Sequence, residues 1–246
     1  SLHALPAEPT KSPQPTAATA AATINHHAGA AVTCVRYSAS GAHLASGGAD
    51  GTVALSERDG SLFLMLQPAT RRRDAAQPAT PAARTTSAAT PASAAAAAAT
   101  TVLSLTWSPA SRYLAAGSAD ALVRVADLHK REQALTLRGR RAAVVALGWS
   151  SSEVHLASAS AAGEVLVHRV QGSVAAVSRA QVAANGVAAT GLHWSPFYPM
   201  KLATGADDGV VALWDMTPQR AVAGSVPAAA TCQHRFDMHT AACRGV

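Results

Sequence analysis

Four residues of the types that hold zinc lie near the C-terminal end of the sequence: Cys232, His234, His239 and Cys243. Thiolate and imidazole groups are the ligands of tetrahedral zinc sites, and four of them within 12 residues could form one. The alternative, which we favour, places them on an outer strand and the connection after it, with side chains that point in different directions. We therefore predict no metal site and no cofactor.

A second candidate for chemistry is the glycine-rich stretch that contains Gly47, Gly48 and Gly51. A dinucleotide-binding loop requires a strand, a glycine turn and a helix in that order. Here the glycines fall inside a predicted hairpin, and the sequence contains neither a G-x-S-x-G elbow nor an H-E-x-x-H helix. The sequence therefore predicts a protein that is not an enzyme.

Two clusters of arginine are candidates for partner binding. They comprise Arg71, Arg72 and Arg73 in the first cluster, and Arg138, Arg140 and Arg141 in the second. Guanidinium groups pair well with carboxylates and phosphates, and the formal net charge of +6 favours acidic partners. Docking on an acidic or phosphorylated protein would use this chemistry, whereas the simpler alternative is solvated loop charge. Nucleic-acid binding is disfavoured, because the aromatic residues occupy core positions rather than positions among the arginines.

The elements that must position these residues are read from four copies of one pattern, at residues 32–55, 102–125, 144–167 and 189–215. In each copy an alternating apolar run ends in an aromatic residue, which is Tyr37, Trp107, Trp149 or Trp194. A polar turn, a small-residue strand led by leucine, a tight turn and another alternating strand follow. A fourth strand is predicted after each copy, at residues 61–67, 133–138, 174–182 and 231–236.

The repeated pattern predicts an all-β fold. Alternation with period two is typical of strands, and Asp-Gly between two such runs favours a hairpin. Four short strands, repeated every 42 to 45 residues over the last three copies, indicate the blades of a β-propeller. A β-sandwich with coincidental similarity between the copies is the alternative.

The fourth copy closely resembles the WD-repeat consensus, since it reads LATGADDGVVALWD over residues 202–215. In that family a turn aspartate, a strand serine or threonine, a strand tryptophan and an upstream histidine form a hydrogen-bonded network. The resemblance assigns three of these positions to Asp208, Thr204 and Trp214, and it leaves the histidine unassigned. The other copies depart further from the consensus, so we expect at most one near-complete network. The pair His26 and His27 precedes the first copy, where the family places a capping histidine.

The order of features over residues 103–246 is similar to the amino-terminal propeller of the GCP-WD family. Proteins of that family target the γ-tubulin ring complex to spindles and centrosomes. The resemblance implies a cytoplasmic scaffold of the cytoskeleton that docks on spindle or centrosomal proteins. In the family, a separate helical region binds the γ-tubulin complex, and no residue here corresponds to it. A generic WD-repeat adaptor in ubiquitin ligation, RNA processing or trafficking is the alternative.

The predicted organisation has four parts. Residues 1–24 form a disordered segment, 25–66 the first WD repeat, 67–101 a disordered insert rich in Ala, Pro and Thr, and 102–246 three further repeats and the start of a fifth. No uninterrupted run of 18 apolar residues predicts a membrane span. About four blades of a probable seven are present, so we expect that the natural chain continues or that this piece is unstable alone.

Overall fold

The computed structural model describes residues 23–67, 100–138, 141–171, 174–181, 187–217, 231–237 and 239, with only the backbone at 171, 174–181 and 231. These residues form strands and their connecting turns. No helix in this part of the chain is long and apolar enough to cross a membrane. Of the segments predicted as disordered, 1–24 and 67–101, residues 1–22 and 68–99 lie outside the described residues, and these include Arg71, Arg72 and Arg73.

In the described part of the chain, sixteen strands form four antiparallel sheets of four strands each, as the repeats predict. Their bounds are β1 Val32–Tyr37, β2 His43–Gly48, β3 Val53–Glu57, β4 Leu62–Leu66, β5 Val102–Trp107, β6 Tyr113–Ser118, β7 Val123–Asp127, β8 Glu132–Leu137, β9 Val144–Trp149, β10 His155–Ser160, β11 Glu164–Gln171, β12 Val174–Gln181, β13 Ala189–Trp194, β14 Lys201–Ala206, β15 Val211–Asp215 and β16 Thr231–Phe236.

Each sheet is one blade, and within it the strands are paired in sequence order. The first strands of successive blades contact one another, from β1 to β5, from β5 to β9 and from β9 to β13. Each first strand also carries an irregularity in its pairing after its first residue. The arrangement is that of a partial β-propeller, with the first strands innermost.

The second and third strands form hairpins whose tight turns require a residue with positive φ. Glycine supplies it at Gly51, Gly163 and Gly209, with φ of 80°, 76° and 84°. In the second blade the same place is held by Ala121, with φ of 64°. A β-carbon disfavours this conformation, so the turn of the second blade is held at some cost in strain.

The core consists of three separate clusters, one at each junction between neighbouring blades. At the first junction, Leu55 of the first blade packs with Leu105 and Leu114 of the second. Small residues allow the sheets to approach closely. A β-carbon at Gly117 would lie 2.6 Å from Cγ1 of Val144 in the next blade. Stability therefore comes from burial between sheets, because no single four-stranded sheet can cover its own apolar faces.

Candidate interaction surface

The turn between β2 and β3 holds a network of hydrogen bonds centred on His27, which is buried. Nε2 of His27 lies 2.8 Å from Oγ of Ser46, and Nδ1 lies 2.9 Å from Oγ1 of Thr52. The Thr52 hydroxyl in turn donates to Oδ1 of Asp50 at 2.8 Å. This pattern is satisfied when Nδ1 carries the proton and Nε2 accepts from Ser46. The first blade therefore joins a histidine, a serine, a threonine and an aspartate.

Gly48 is what makes room for this histidine. A β-carbon there would lie 2.5 Å from Nδ1 of His27. The equivalent positions in the other blades carry side chains, at Ser118, Ser160 and Ala206. The resemblance places a capping histidine at His26 and His27, and His27 takes that position. It assigns the near-complete network to the fourth copy, however, and not to the first. The signal was the Gly-Gly pair of the first copy together with a preceding histidine.

The second blade uses an arginine from within the sheet to hold its turn aspartate. Arg124 is fully buried, and its Nη2 donates to Oδ2 of Asp120 at 2.5 Å. Its Nη1 donates to Oγ of Ser118 at 2.8 Å. Asp120, which closes the β6–β7 hairpin, is thus paired with the guanidinium group of Arg124. In the first blade the turn aspartate, Asp50, is instead linked to His27 through the hydroxyl of Thr52. Nothing in the consensus pattern predicts this arginine.

In the fourth blade, the predicted network residues are only partly connected. Nε1 of the buried Trp214 donates to Oγ1 of the buried Thr204 at 2.9 Å. Asp208 lies in the exposed turn, where its Oδ1 accepts from the backbone amide of Val210 at 3.1 Å. In the third blade, His168 stands at the position of Trp214 and is also buried. The four blades therefore differ in their polar networks while they keep one backbone plan.

The second arginine cluster lies on the connection between the second and third blades. Arg138 directly follows β8, Arg141 precedes β9, and both are exposed. Arg140 lies outside the described residues, as does the first cluster. Two guanidinium groups are thus exposed to solvent at one edge of the stack. This edge carries the connection from the fourth strand of one blade to the first strand of the next.

The opposite edge of the fourth blade carries two exposed aromatic side chains in the turn between β13 and β14. Phe197 is 85% exposed and Tyr198 is 65% exposed. Oγ of Ser195 accepts hydrogen bonds from the backbone amides of both residues, at 3.3 and 3.1 Å. The amide of Lys201 donates to the carbonyl of Tyr198 at 3.0 Å. The turn is thus fixed, and it holds two large apolar groups in solvent, which is unusual unless they bind a partner.

Beside this turn lies a groove of 390 Å³, whose lining includes Trp194, Tyr198, Lys201, Leu213 and Gln233. The ammonium group of Lys201 is paired with the carboxylate of Asp215, and its Nζ donates to Oδ2 at 2.8 Å. Hydrogen bonds from Lys201 and Thr217 lower the pKa of the Asp215 carboxyl well below its usual range. Asp215 is therefore ionised at neutral pH, and the groove carries a fixed ion pair at its rim.

A second fixed carboxylate lies on the same edge of the second blade. Burial alone would raise the pKa of Asp127, but hydrogen bonds from Arg112 and from the amide of His129 outweigh it and lower the pKa. Nη2 of Arg112 donates to Oδ2 of Asp127 at 3.2 Å. The turn after β7 is thus held by an ion pair like that of the fourth blade.

The cysteine and histidine residues near the C-terminal end do not form a ligand cluster in the part of the chain that the structure describes. Sγ of Cys232 donates to the carbonyl of His234 at 3.5 Å, and both side chains are exposed on β16. Cys243 lies outside the described residues. These observations offer no support for zinc binding among the residues described.

Comparison with known proteins agrees with the repeat pattern. The model of the family "WD domain, G-beta repeat" matches residues 19–55, 96–127 and 181–215. The chain is 28% identical over 145 residues to the anaphase-promoting complex subunit cdc20 of Dictyostelium discoideum, which is 59% of this chain and 26% of that protein. It is 38% identical over 74 residues to WD repeat and HMG-box DNA-binding protein 1 of Mus musculus, or 30% of this chain and 7% of that one.

Among solved structures, a chain in the crystal structure of a mitotic checkpoint complex matches with a TM-score of 0.59 and 20% identity. The match covers 86% of this chain and 52% of that one. Stacked four-stranded sheets of this kind define a partial β-propeller, which is the class of fold. The three matches to the repeat model show further that the chain contains WD repeats. It spans about a quarter of the length of the cdc20 relative.

Proposed function

We propose that this chain is a non-enzymatic interaction scaffold that docks on spindle or centrosomal proteins, in the manner of WD-repeat proteins that target the γ-tubulin ring complex. The observation that carries the scaffold proposal is the fixed turn that presents Phe197 and Tyr198 to solvent at the edge of a rigid blade. Aromatic anchors on a rigid support are the groups that contribute most to protein–protein binding.

The mitotic direction of the proposal has two supports. The order of repeats over residues 103–246 resembles the spindle-targeting family, and the names of one relative and one solved neighbour belong to mitosis. The exposed Arg138 and Arg141 supply a basic edge that suits acidic or phosphorylated partners. On this proposal the aromatic turn gives affinity, and the basic edge increases the rate of encounter at low salt.

A second candidate function is that of an adaptor within a ubiquitin-ligase complex. The match to a subunit of the anaphase-promoting complex favours it, since that match covers 59% of this chain, against 30% for WD repeat and HMG-box DNA-binding protein 1 of Mus musculus. The two candidates predict different binding partners and different positions in the dividing cell.

The test is to express the chain with a fluorescent tag in dividing cells, alongside the double variant Phe197→Ser/Tyr198→Ser. We expect the unmodified chain to concentrate at spindle poles, and the double variant to lose about tenfold of that signal, because two anchor side chains are removed. The variant Leu103→Ser is the matched control, since it removes a partly exposed apolar side chain from the second blade.

Affinity capture from mitotic extracts distinguishes the two candidates. Recovery of centrosomal proteins with the unmodified chain supports the spindle scaffold. Recovery of anaphase-promoting complex subunits, with a diffuse signal through mitosis, selects the adaptor instead. Equal pole signal from the double variant and the unmodified chain would show that the aromatic turn is not the docking site.

A further inference from the structure

The turn between β7 and β8 of the second blade exposes three consecutive nitrogen-bearing side chains, those of His129, Lys130 and Arg131. The backbone of this turn is fixed, because the amide of Leu128 donates to the carbonyl of Arg112 at 3.0 Å and the amide of Arg131 donates to the carbonyl of Leu128 at 3.3 Å. The second blade contacts both the first and the third, so described residues lie on either side of the turn. We call Lys130 and Arg131 the cationic pair.

Arg131 adopts a backbone conformation that ordinarily favours glycine. Its φ is 53°, and the residue that ends the corresponding turn of the first blade is Gly60, with φ of 87°. In both turns this residue donates its amide to the carbonyl three residues earlier. A β-carbon is disfavoured in this region, so the arginine is held there at some cost in strain. Strain of this kind is concentrated at functional sites, which points to a task for the Arg131 side chain.

A ring from the neighbouring blade restrains the same side chain. The guanidinium of Arg131 lies over the ring of Phe63, 4.4 Å from the ring centroid. Phe63 packs in turn against His43, with ring centroids 4.8 Å apart. Within the described part of the chain, the Arg131 side chain makes no hydrogen bond and no ion pair. A guanidinium that is held against a ring but has no polar partner offers its N–H donors to a ligand at a small cost in ordering.

The carboxylate of Asp127, at the start of this turn, does not neutralise the cationic pair. Its Oδ2 accepts from Nη2 of Arg112 at 3.2 Å, and its Oδ1 accepts from the amide of His129 at 3.0 Å. Both oxygens are therefore engaged, and the side chain is buried. Glu132, which begins β8, is exposed, so the net charge around the turn is small. Binding here depends on the geometry of the donors more than on bulk charge.

The turns of the neighbouring blades at the same edge carry carboxylates. Glu57 and Asp59 are exposed at the β3–β4 turn of the first blade. Glu153 lies in the β9–β10 turn of the third blade, where its Oε1 accepts from the amide of Ala110. A polyanion that followed this edge, such as a nucleic acid, would meet these carboxylates on both sides of the cationic pair. A compact anion on a single side chain would not, and the surroundings therefore favour it.

We propose that Lys130 and Arg131 bind a phosphorylated serine or threonine side chain of a protein partner. A phosphomonoester carries nearly two negative charges at neutral pH and three acceptor oxygens, which match the forked donors of an arginine and the ammonium of a lysine. A carboxylate offers one charge and two oxygens, and is the weaker ligand. The site shares no residue with the aromatic turn or with Arg138 and Arg141, so it goes beyond the docking proposed above and its failure would leave that proposal untouched.

The experiment is a titration of the ¹⁵N-labelled 246-residue chain with N-acetyl-phosphoserine amide, followed by nuclear magnetic resonance at pH 7.5. We expect saturable shifts confined to the backbone amides of the β7–β8 turn and to the Nε–H group of Arg131. N-acetyl-glutamate amide, which carries a single charge, should bind about fivefold more weakly or less.

Three variants assign the binding to the restrained arginine. Arg131→Gly removes the guanidinium and suits the backbone conformation, so it should lower the affinity about tenfold while the melting temperature stays the same or rises. Phe63→Leu keeps every charge but removes the ring under Arg131, and should lower the affinity about threefold. Arg58→Ala is the matched control, because Arg58 is an exposed arginine in the corresponding turn of the first blade, and its loss should leave the affinity unchanged.

The absence of saturable shifts at this turn would overturn the proposal. Equal affinity for the phosphoserine and glutamate probes would do so as well, since the turn would then bind anions in general. An Arg131→Gly chain that binds the phosphoserine probe as tightly as the unmodified chain would show that the strained arginine has no part in binding. A single-stranded oligonucleotide that displaces the probe at lower concentration than phosphoserine itself would assign the turn to nucleic acid instead.

Discussion

Position 48 illustrates how one atom decides the chemistry of a turn. Gly48 lacks a β-carbon, and His27 fills the space that a β-carbon would take. In the second blade, Ser118 occupies the position equivalent to Gly48, and Arg124 binds the turn aspartate. The consensus residues Thr204, Asp208 and Trp214 could be assigned by resemblance alone. The role of Arg124 could not, because strand positions inside a sheet ordinarily select apolar side chains, and the arginine depends on a serine six residues before it.

At the residue scale, the buried pair of Arg124 and Asp120 gives a direct prediction. Removing one partner of a buried ion pair leaves an uncompensated charge, so Arg124→Ala should lower the free energy of unfolding by about 3 kcal/mol. Arg124→Leu also leaves Asp120 without its cation, but it fills the site with the side chain that the third blade has there, at Leu166, so it should cost less by the cavity that alanine leaves. Urea unfolding followed by tryptophan fluorescence measures both. Equal losses in the two variants would mean that the guanidinium contributes through its charge and hydrogen bonds and not through its volume.

At the element scale, the tryptophans that end the first strands connect blades as well as filling space. Nε1 of Trp107 donates to the carbonyl of Arg36 at 3.1 Å, and Nε1 of Trp194 donates to the carbonyl of Gly148 at 2.9 Å. Both carbonyls belong to the preceding blade. Nε1 of Trp149 is buried and has no hydrogen-bond partner among the residues described. In the third blade, the tryptophan ring therefore packs at the junction without a hydrogen bond to the preceding blade.

This difference predicts unequal effects of the same substitution. Trp194→Phe removes a hydrogen bond to the Gly148 carbonyl, whereas Trp149→Phe removes a donor that had no partner among the residues described. We expect Trp194→Phe to lower the free energy of unfolding by about 1 kcal/mol more than Trp149→Phe does. Thermal and urea denaturation of the two variants give the comparison. A larger loss in Trp149→Phe would show that packing alone decides these junctions.

The strands themselves were predictable because periodicity and turn residues are local signals. The predicted fourth strands at 133–138 and 174–182 correspond to Glu132–Leu137 and Val174–Gln181. The aromatic residues were expected to fill the space between sheets, and Trp149 and Trp194 do so. Tyr37 differs, because a preceding blade covers its equivalents, whereas no described residues cover Tyr37. Burial at that position depends on a neighbour, which a pattern within one copy does not contain.

At the scale of the whole molecule, the order in which the blades stack determines which side chains lie at each edge. Turns after the first and third strands lie at one edge, where the aromatic turn and the ion pairs of Asp127 and Asp215 occur. The connections that carry Arg138 and Arg141 lie at the other. A scaffold of this form has two chemically different edges, one aromatic and one basic, and the proposed partner docking uses both.

The central claim is that successive sheets stack in chain order, each on the face of the one before it. Its most direct test is disulfide cross-linking of the pair Ser40→Cys/Ser111→Cys, in a chain whose three native cysteines are replaced by serine. The backbone amide of Ser40 donates to Oγ of Ser111 at 3.1 Å, so the two residues meet across the first junction. The control pair Ser40→Cys/Ser152→Cys places its thiols on the first and third blades, which are not neighbours.

Stacking in chain order predicts that mild oxidation cross-links the first pair almost completely and the control pair hardly at all, as measured by mass spectrometry of proteolytic fragments. A chain that cross-links the control pair, or leaves the first pair reduced, would contradict blade stacking.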